Sequence, residues 1–232
     1  MIRVLECFSG TGSVGKVAKQ LGWEVLSIDI DGRADINMDI LEWDYKKYPV
    51  GHFDIVWCSP PCSTYSHLQY GWIGRKVRGE MVTRETIERR MTEVGDPLAK
   101  KSLEIINYFK PHLWFIENPN SSRLKDRPFM KDLPYYVVDY CMYSDWGYKK
   151  RTRIWTNKKD WNALTCDASG ECGNMIEKIY HQNLGNTYRN NKAKRFRAQH
   201  KTDASWQGGS SGLSLDMRYR IPPDLIFSLF TE

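Results

Sequence analysis

The start of the chain places the strongest limit on its fold, because an apolar stretch there leads into a glycine-rich turn. Ile2 to Phe8 is predicted to be a buried strand, and the turn Ser9-Gly10-Thr11-Gly12-Ser13 follows it directly. A helix is predicted after the turn, running to about Gln20 and ended by Gly22. A strand, a glycine-rich turn and a helix in this order predict the opening of an α/β domain.

Strands and helices continue to alternate along the chain. A helix is predicted to begin at Asp96-Pro97, which supply a cap and a first turn, and to end before Pro111. Further strands are predicted at Glu24–Ile28, Ile55–Trp57 and Leu113–Ile116, an antiparallel pair at 136–142 and 154–156, and a last helix at Leu225–Phe230. This alternation predicts a parallel sheet with helices on both faces and an antiparallel pair at its edge.

The length of the chain bounds its domain organisation. A chain of 232 residues can form one α/β core with a small addition. Residues 157–213 are polar and basic and contain glycines, so we expect them to form an insert in a catalytic domain made of 1–156 and 214–232. No apolar run approaches the ~20 residues needed to cross a bilayer. We expect a soluble intracellular monomer without a membrane partner, in the cytoplasm or nucleus of a host if the source is viral.

The positive charge of the chain is unevenly distributed. The formal net charge is +6, and no acidic residue occurs between His181 and Lys201. That segment contains six cations: Arg189, Lys192, Lys194, Arg195, Arg197 and Lys201. A polyanion such as nucleic acid is the natural partner of such a run, although a solvated basic face has the same composition.

Six cysteines are too few to indicate a disulfide framework in a chain of this length, so we expect free thiols. Within the insert, Cys166, Cys172, His181 and His200 are residue types that zinc prefers. However, five residues lie between the two cysteines, and the two histidines are nineteen positions apart. The ligands of zinc sites are usually closer together in sequence. We therefore expect no metal site.

Polar segments directly follow the predicted strands, and ligands of open α/β sheets bind at such strand ends. In Cys58-Ser59-Pro60-Pro61-Cys62 the prolines restrict the backbone before Cys62, whose thiolate could attack carbon. The carboxylate of Glu117 would face the same crevice and could donate a proton to a ring nitrogen. Arg151 and Arg153 occupy alternate positions entering the next strand. Taken singly, these residues also have simpler interpretations. Cys62 could be a buried cysteine without a chemical role, Glu117 a surface acid, and Arg151 and Arg153 part of a basic turn.

In this order, the motifs resemble those of the cytosine-C5 DNA methyltransferase family. The resemblance is carried by Phe8-Ser9-Gly10-Thr11-Gly12, Pro61-Cys62, Glu117-Asn118, Arg151-Thr152-Arg153 and Ile221-Pro222-Pro223. The chain departs from the family pattern at Pro119 and Lys149, where valine and glutamine are usual, and its last motif lacks Gly-Asn. The resemblance implies an α/β fold with a Rossmann-like S-adenosylmethionine-dependent methyltransferase sheet and a small inserted target-recognition region.

The resemblance also implies roles for individual residues. The cofactor S-adenosyl-L-methionine would contact Phe8, Ser9, Gly10, Thr11 and Gly12 at its methionine end, Asp29 at its ribose, Ile30, Asp39 and Ile40 at its adenine, and Pro61. Cys62 would add to C6 of a cytosine flipped out of double-stranded DNA. Glu117 would contact N3 and the amino group, and Arg153, with Arg151, would lie near O2.

Three other functions remain open at this point. An RNA methyltransferase of the same family would use the same residues. A nicotinamide oxidoreductase would explain the glycine turn, but neither Pro61-Cys62 nor Arg151-Thr152-Arg153. A chain that only binds nucleic acid would have no need of Cys62, Glu117 and Arg153 together. The biological role, which could be restriction-modification, modification of a viral genome or regulation, is not determined by the sequence.

Overall fold

The computed structural model describes residues 1–77, 79–176, 180–181 and 214–231. The strands are β1 (Arg3–Cys7), β2 (Glu24–Asp29), β3 (Ile36–Asn37), β4 (Ile55–Cys58), β5 (Lys76–Val77), β6 (Glu80–Met81), β7 (Leu113–Pro119), β8 (Tyr135–Asp139), β9 (Arg151–Thr156), β10 (Met175–Ile176) and β11 (Tyr180–His181). The α-helices are α1 (Ser13–Gln20), α2 (Arg84–Arg90), α3 (Asp96–Phe109), α4 (Pro128–Lys131), α5 (Leu215–Tyr219) and α6 (Pro223–Thr231). Short 3₁₀ helices lie at Tyr45–Lys47, Ser63–Tyr65, His67–Trp72, Arg123–Asp126 and Tyr140–Met142.

Seven strands form the central sheet in the order β3-β2-β1-β4-β7-β9-β8. The first five are parallel, and β9 is antiparallel to both β7 and β8. This confirms the predicted α/β class and the antiparallel pair. The pair β5/β6 and the pair β10/β11 form two small separate sheets. Within the described ranges, no helix is long and apolar enough to span a bilayer.

The alternation of side chains along the strands divides the core between the two faces of the sheet. Leu5, Val56 and Ile116 point to one face, where they belong to a cluster that includes Ile105 and Phe109 of α3. Their chain neighbours Val4, Ile55 and Phe115 belong to the cluster on the other face, with apolar residues of α1 and α6. Because helices cover both faces of the sheet, the accessible part of the sheet is the side where the parallel strands have their carboxyl ends.

α3 begins at Asp96, as predicted, but it does not start as a separate helix. Helical backbone already begins at Arg84 and continues through a π-helical turn, Met91–Gly95, into Asp96. Asp96 is buried, and its carboxylate accepts a hydrogen bond of 2.8 Å from the Tyr65 hydroxyl. A Cβ at Gly95 would lie 2.7 Å from the Tyr65 ring, so only glycine lets the ring pack against this turn. Asp96 therefore binds the Tyr65 side chain and does not cap the helix, because Gly95 holds the N-cap position.

The first residues of the predicted insert pack on the sheet. Trp161 is buried against Tyr136 and Tyr143, and the Leu164 carbonyl accepts a hydrogen bond from the Asp139 backbone amide at the end of β8. Most of the predicted insert, including the six cations and His200, lies outside the described residues. The domain boundaries at 157 and 213 therefore stay predictions.

Gly15 lies in the first turn of α1, just after the glycine-rich turn, and is closely packed against β1 and β2. A Cβ there would lie 2.8 Å from Oε2 of Glu6 and 3.2 Å from Cγ1 of Val25. Because the side chains of Glu6 and Val25 already occupy this space, we expect Gly15→Ala to lower the free energy of unfolding by about 1–3 kcal/mol. Denaturant unfolding measures the change. Gly71→Ala, at an exposed glycine with no neighbour within 4 Å, is the matched control and should be nearly neutral.

Candidate active site

The carboxyl ends of β1, β2, β4 and β7 open into one cavity of about 920 Å³. Twelve of the predicted site residues line it: Phe8, Ser9, Gly10, Thr11, Asp29, Ile30, Asp39, Ile40, Pro61, Cys62, Glu117 and Arg151. Two predicted residues, Gly12 and Arg153, do not line this cavity in the described part of the chain. Parallel strands end at the same edge, so short polar segments that are far apart in sequence converge here.

The glycine turn forms the wall next to β2. Gly10 and Gly12 have positive φ angles of 46° and 65°, which glycine adopts without steric cost. The Gly10 amide donates a hydrogen bond of 2.8 Å to one carboxylate oxygen of Asp29, and the other oxygen accepts from the Ile30 amide at 2.7 Å. Ile30 is 76% exposed at the rim of the cavity, whereas Ile40 is buried. Gly12 shapes the turn, since its amide donates to the Ser9 carbonyl at 2.7 Å.

Glu6 lies beneath this turn, and the sequence analysis did not assign it a role. Its buried carboxylate accepts hydrogen bonds from the amides of Val14 (3.1 Å) and Gly15 (2.8 Å) at the start of α1. Burial raises the pKa of Glu6 to about 7, although the two amides act in the opposite direction. A charged residue inside an apolar strand that leads into a glycine turn was the signal that could have identified it.

Cys62 is held in place by residues on two neighbouring strands. The Asn118 side-chain amide, at the end of β7, donates a hydrogen bond of 2.8 Å to the Pro60 carbonyl, which follows β4. Pro61 then leads into Cys62, which precedes a 3₁₀ turn and is partly exposed to the cavity. Burial raises the pKa of the Cys62 thiol, the charge of Glu117 raises it further, and the charge of Lys150 lowers it.

Glu117 is buried at the end of β7 and has two neighbours that the sequence analysis missed. The Tyr140 hydroxyl donates a hydrogen bond of 3.1 Å to its Oε1, and the Lys150 ammonium lies 3.7 Å from the same oxygen. Burial and the charge of Glu117 raise the pKa of Tyr140, so its hydroxyl stays a protonated donor. Lys150 also donates to the Arg218 carbonyl at 3.2 Å, which ties the site to α5. Lys150 was visible in the sequence only as part of a basic turn.

Each of the two arginines of β9 is hydrogen-bonded to another side chain of the protein. Arg151 lines the cavity, and its guanidinium donates to both carboxylate oxygens of the buried Asp139, at 3.0 and 2.7 Å. Arg153 donates to Oδ1 of Asn120 at 3.2 Å and lies 3.7 Å from the Tyr135 ring centroid. In the register of β7 and β9, Arg153 is opposite Asn118. Arg153 therefore projects from the face opposite to that of Glu117.

The cavity of this α/β fold therefore combines a glycine turn at the end of β1 with a partly exposed thiol and a buried carboxylate. No family model matches the chain. A protein of Frog virus 3 (isolate Goorha), described as a probable DNA (cytosine-5)-methyltransferase, is 40% identical over 230 residues, which cover 98% of each chain. The chain belongs to the cytosine-5 DNA methyltransferase family.

Solved methyltransferases are also similar to this chain. The S. pombe Dnmt2 methyltransferase aligns with 73% of this chain at 14% identity and a TM-score of 0.41. The Entamoeba histolytica methyltransferase EhMeth aligns with 70% at 15% identity and a TM-score of 0.43. The alignments cover 54% and 56% of those two chains, so this chain matches about half of each.

Proposed function

We propose that this protein transfers a methyl group from S-adenosyl-L-methionine to C5 of cytosine in double-stranded DNA, with Cys62 as a covalent nucleophile. The observation that carries the proposal is that Cys62 and Glu117 line the same cavity as the glycine turn. The 40% identical viral relative, described as a probable DNA (cytosine-5)-methyltransferase, supports methylation of cytosine in DNA. We also propose that the protein acts inside a host cell. Residues 157–213 are the proposed target-recognition insert.

The cavity wall fits the cofactor. Ile30 offers an exposed apolar side chain at the rim, which suits one face of an adenine ring, with Asp39 and Ile40 nearby on the same wall. Asp29 would accept hydrogen bonds from ribose hydroxyls, and Phe8 to Gly12, with Pro61, would surround the methionine end. When bound, the cofactor supplies an electrophilic methyl group on its sulfonium.

Cys62 and Glu117 are proposed to make C5 of cytosine reactive enough to accept the methyl group. C5 of cytosine is a weak nucleophile because its electrons belong to an aromatic ring. The Cys62 thiolate bonds to C6 and displaces the C5–C6 π electrons toward C5 and N3, so that C5 takes the methyl group and the cofactor is left as its thioether, S-adenosyl-L-homocysteine. Glu117, which carries a proton at this step, donates it toward N3 as negative charge develops there, and Tyr140 and Lys150 hold the Glu117 side chain in place. A base then removes the C5 proton, the thiolate leaves and the C5–C6 double bond is restored.

A cytosine must leave the DNA helix to reach this cavity, at a cost of a few kcal/mol for unstacking. The Arg151 side chain at the cavity wall and the side chain of Arg153 are proposed to act near O2 of the flipped base. Because Arg153 does not line the cavity and projects from the face opposite to that of Glu117, this role requires its side chain to leave Asn120 and change direction when DNA binds.

Bisulfite sequencing of genomic and plasmid DNA from cells that express the protein tests the function directly. Cytosines protected from conversion should recur in one short sequence context, and cells that express the inactive Cys62→Ser variant should show none. The proposal fails if purified active-site-intact protein, supplied with labelled S-adenosyl-L-methionine, methylates transfer RNA but leaves DNA unlabelled.

The basic segment of the insert is proposed to contact DNA phosphates. We expect the double substitution of Arg195 and Arg197 by alanine to weaken binding of all DNA sequences and to reduce the slope of log K against log salt by about 2. Fluorescence anisotropy at several salt concentrations measures both. The charge-matched control is Lys46→Ala with Lys47→Ala, because these exposed lysines lie near the C-terminal end of α3, which leads into the start of β7 and not its carboxyl end. A changed target sequence at an unchanged slope would show that the arginines read bases instead.

A further inference from the structure

Three cysteines and one histidine gather beside the edge strand β8, away from Cys62. Cys141 lies in the 3₁₀ turn after β8, Cys166 and Cys172 lie in the segment after β9, and His181 ends β11. Their three sulfur atoms and one imidazole nitrogen all lie within 4.8 Å of one another. The Nε2 atom of His181 is 3.7 Å from the Cys166 sulfur and 3.2 Å from the Cys172 sulfur.

These distances match a tetrahedral metal site. Zinc binds thiolate sulfur at about 2.3 Å and imidazole nitrogen at about 2.0 Å, which places neighbouring ligand atoms roughly 3.5–3.8 Å apart. A disulfide would explain the approach of only two of the sulfurs, and all three cysteines are free thiols. A metal ion accounts for all four side chains together.

We propose that Cys141, Cys166, Cys172 and His181 bind one zinc ion as a structural site. Three thiolates and an imidazole are soft ligands that favour zinc over magnesium or calcium. Four protein ligands complete a tetrahedral shell, so no position is left for a reactive water molecule. The site is therefore one that stabilises the fold, and it is separate from the proposed methyl-transfer chemistry.

Hydrogen bonds hold the backbone that carries the ligands. The Asn174 side-chain amide donates to the carbonyl of Cys141 at 2.8 Å and to that of Cys172 at 3.0 Å, so it joins two ligand-bearing segments. The Lys149 ammonium donates to the Cys166 carbonyl at 2.6 Å, and its positive charge offsets the net negative charge of a zinc ion with three thiolates. Partners of this kind around the ligands are typical of structural metal sites.

The expectation of no metal site was based on the spacing of Cys166, Cys172, His181 and His200. In the structure, Cys141 supplies a ligand from the catalytic sheet, so the spacing within the insert no longer argues against a site. The metal would connect the sheet to the insert just before residues 182–213. It would also hold the turn that contains Tyr140, whose hydroxyl binds Glu117.

Metal analysis of the full-length, untagged protein tests this site. Protein purified under reducing conditions from zinc-supplemented medium should contain about one zinc per chain by inductively coupled plasma mass spectrometry. Cys166→Ser and Cys172→Ser should each lose at least about three-quarters of the metal. Cys62→Ser is the matched control, because it removes a partly exposed cysteine outside the cluster and should keep one zinc although methyl transfer is lost. Cys172→His should retain the metal, since it keeps four ligands.

Cobalt substitution of the wild-type protein tests the ligands even if a variant does not fold. Cobalt bound here should show the visible absorption of a tetrahedral, thiolate-coordinated ion, and zinc should displace it. An organomercurial that blocks thiols should release the zinc. The proposal is overturned if reduced wild-type protein contains less than about 0.1 zinc per chain and gives no such cobalt spectrum, or if folded Cys166→Ser and Cys172→Ser proteins keep a full equivalent.

Discussion

Substitution of Cys62 by serine should reduce the rate of methyl transfer by about 10³-fold or more, which is the largest effect we expect from any single change. A hydroxyl is a much weaker nucleophile than a thiolate, and loss of a covalent nucleophile removes a whole reaction path. Cys62 is partly exposed and precedes a short turn, so a serine of similar size should not disturb the fold. Incorporation of labelled methyl groups into DNA measures the loss.

Two further measurements separate lost chemistry from lost binding. The Cys62→Ser protein should keep its melting temperature and its affinity for S-adenosylhomocysteine, because neither depends on the thiol. With DNA that contains 5-fluorocytosine at the target, the wild-type protein should form an adduct that survives denaturing electrophoresis, since fluorine cannot leave C5 as a cation. Methylation of the normal target by Cys62→Ser, or methylation without an adduct by the wild type, would refute the covalent mechanism.

Glu117→Gln should have the second largest effect, a loss of methyl transfer of about 10²-fold or more. Glutamine fills nearly the same volume but cannot share a proton with N3 of cytosine. The buried position of Glu117 and its hydrogen bond from Tyr140 keep the side chain in one place. Single-turnover methylation with saturating cofactor isolates the chemical step.

The same substitution should increase the reactivity of Cys62 toward a small alkylating reagent. The charge of Glu117 raises the pKa of Cys62, so its removal lowers that pKa and leaves more thiolate at neutral pH. For the wild-type protein, the alkylation rate should rise about tenfold per pH unit below the pKa of Cys62. Lys150→Met removes the charge that lowers this pKa, and alkylation of that variant should be slower.

Opposite changes in the two rates are the expected signature of Glu117→Gln. Because a loss of structure would also expose Cys62 and abolish methylation, Glu117→Gln must keep the melting temperature of the wild type, and alkylation of Lys150→Met must be slower. If Glu117→Gln methylates within about threefold of the wild-type rate, or if its Cys62 alkylates no faster than that of the wild type, the assigned role of Glu117 is wrong.

Much of the candidate site could be predicted because its motifs are local. A strand followed by Ser9 to Ser13, by Pro60-Pro61-Cys62 or by Glu117-Asn118 is recognisable within a few residues. Parallel strands end at one edge of a sheet whatever the length of the connections between them. The local patterns therefore placed the thiol, the carboxylate and the glycine turn around one cavity, which the structure shows.

Only the tertiary structure decided how side chains from distant segments meet. The register of β7 and β9 places Arg153 opposite Asn118 and away from Glu117, and a shift of one residue would reverse that face. Neither periodicity nor spacing specifies such a register, so the sequence by itself did not reveal Tyr140 and Lys150 beside Glu117. For the same reason it did not reveal Cys141 beside the cysteines and histidine of the insert. Those contacts depend on how β8 and the segment after β9 pack, which the whole fold determines.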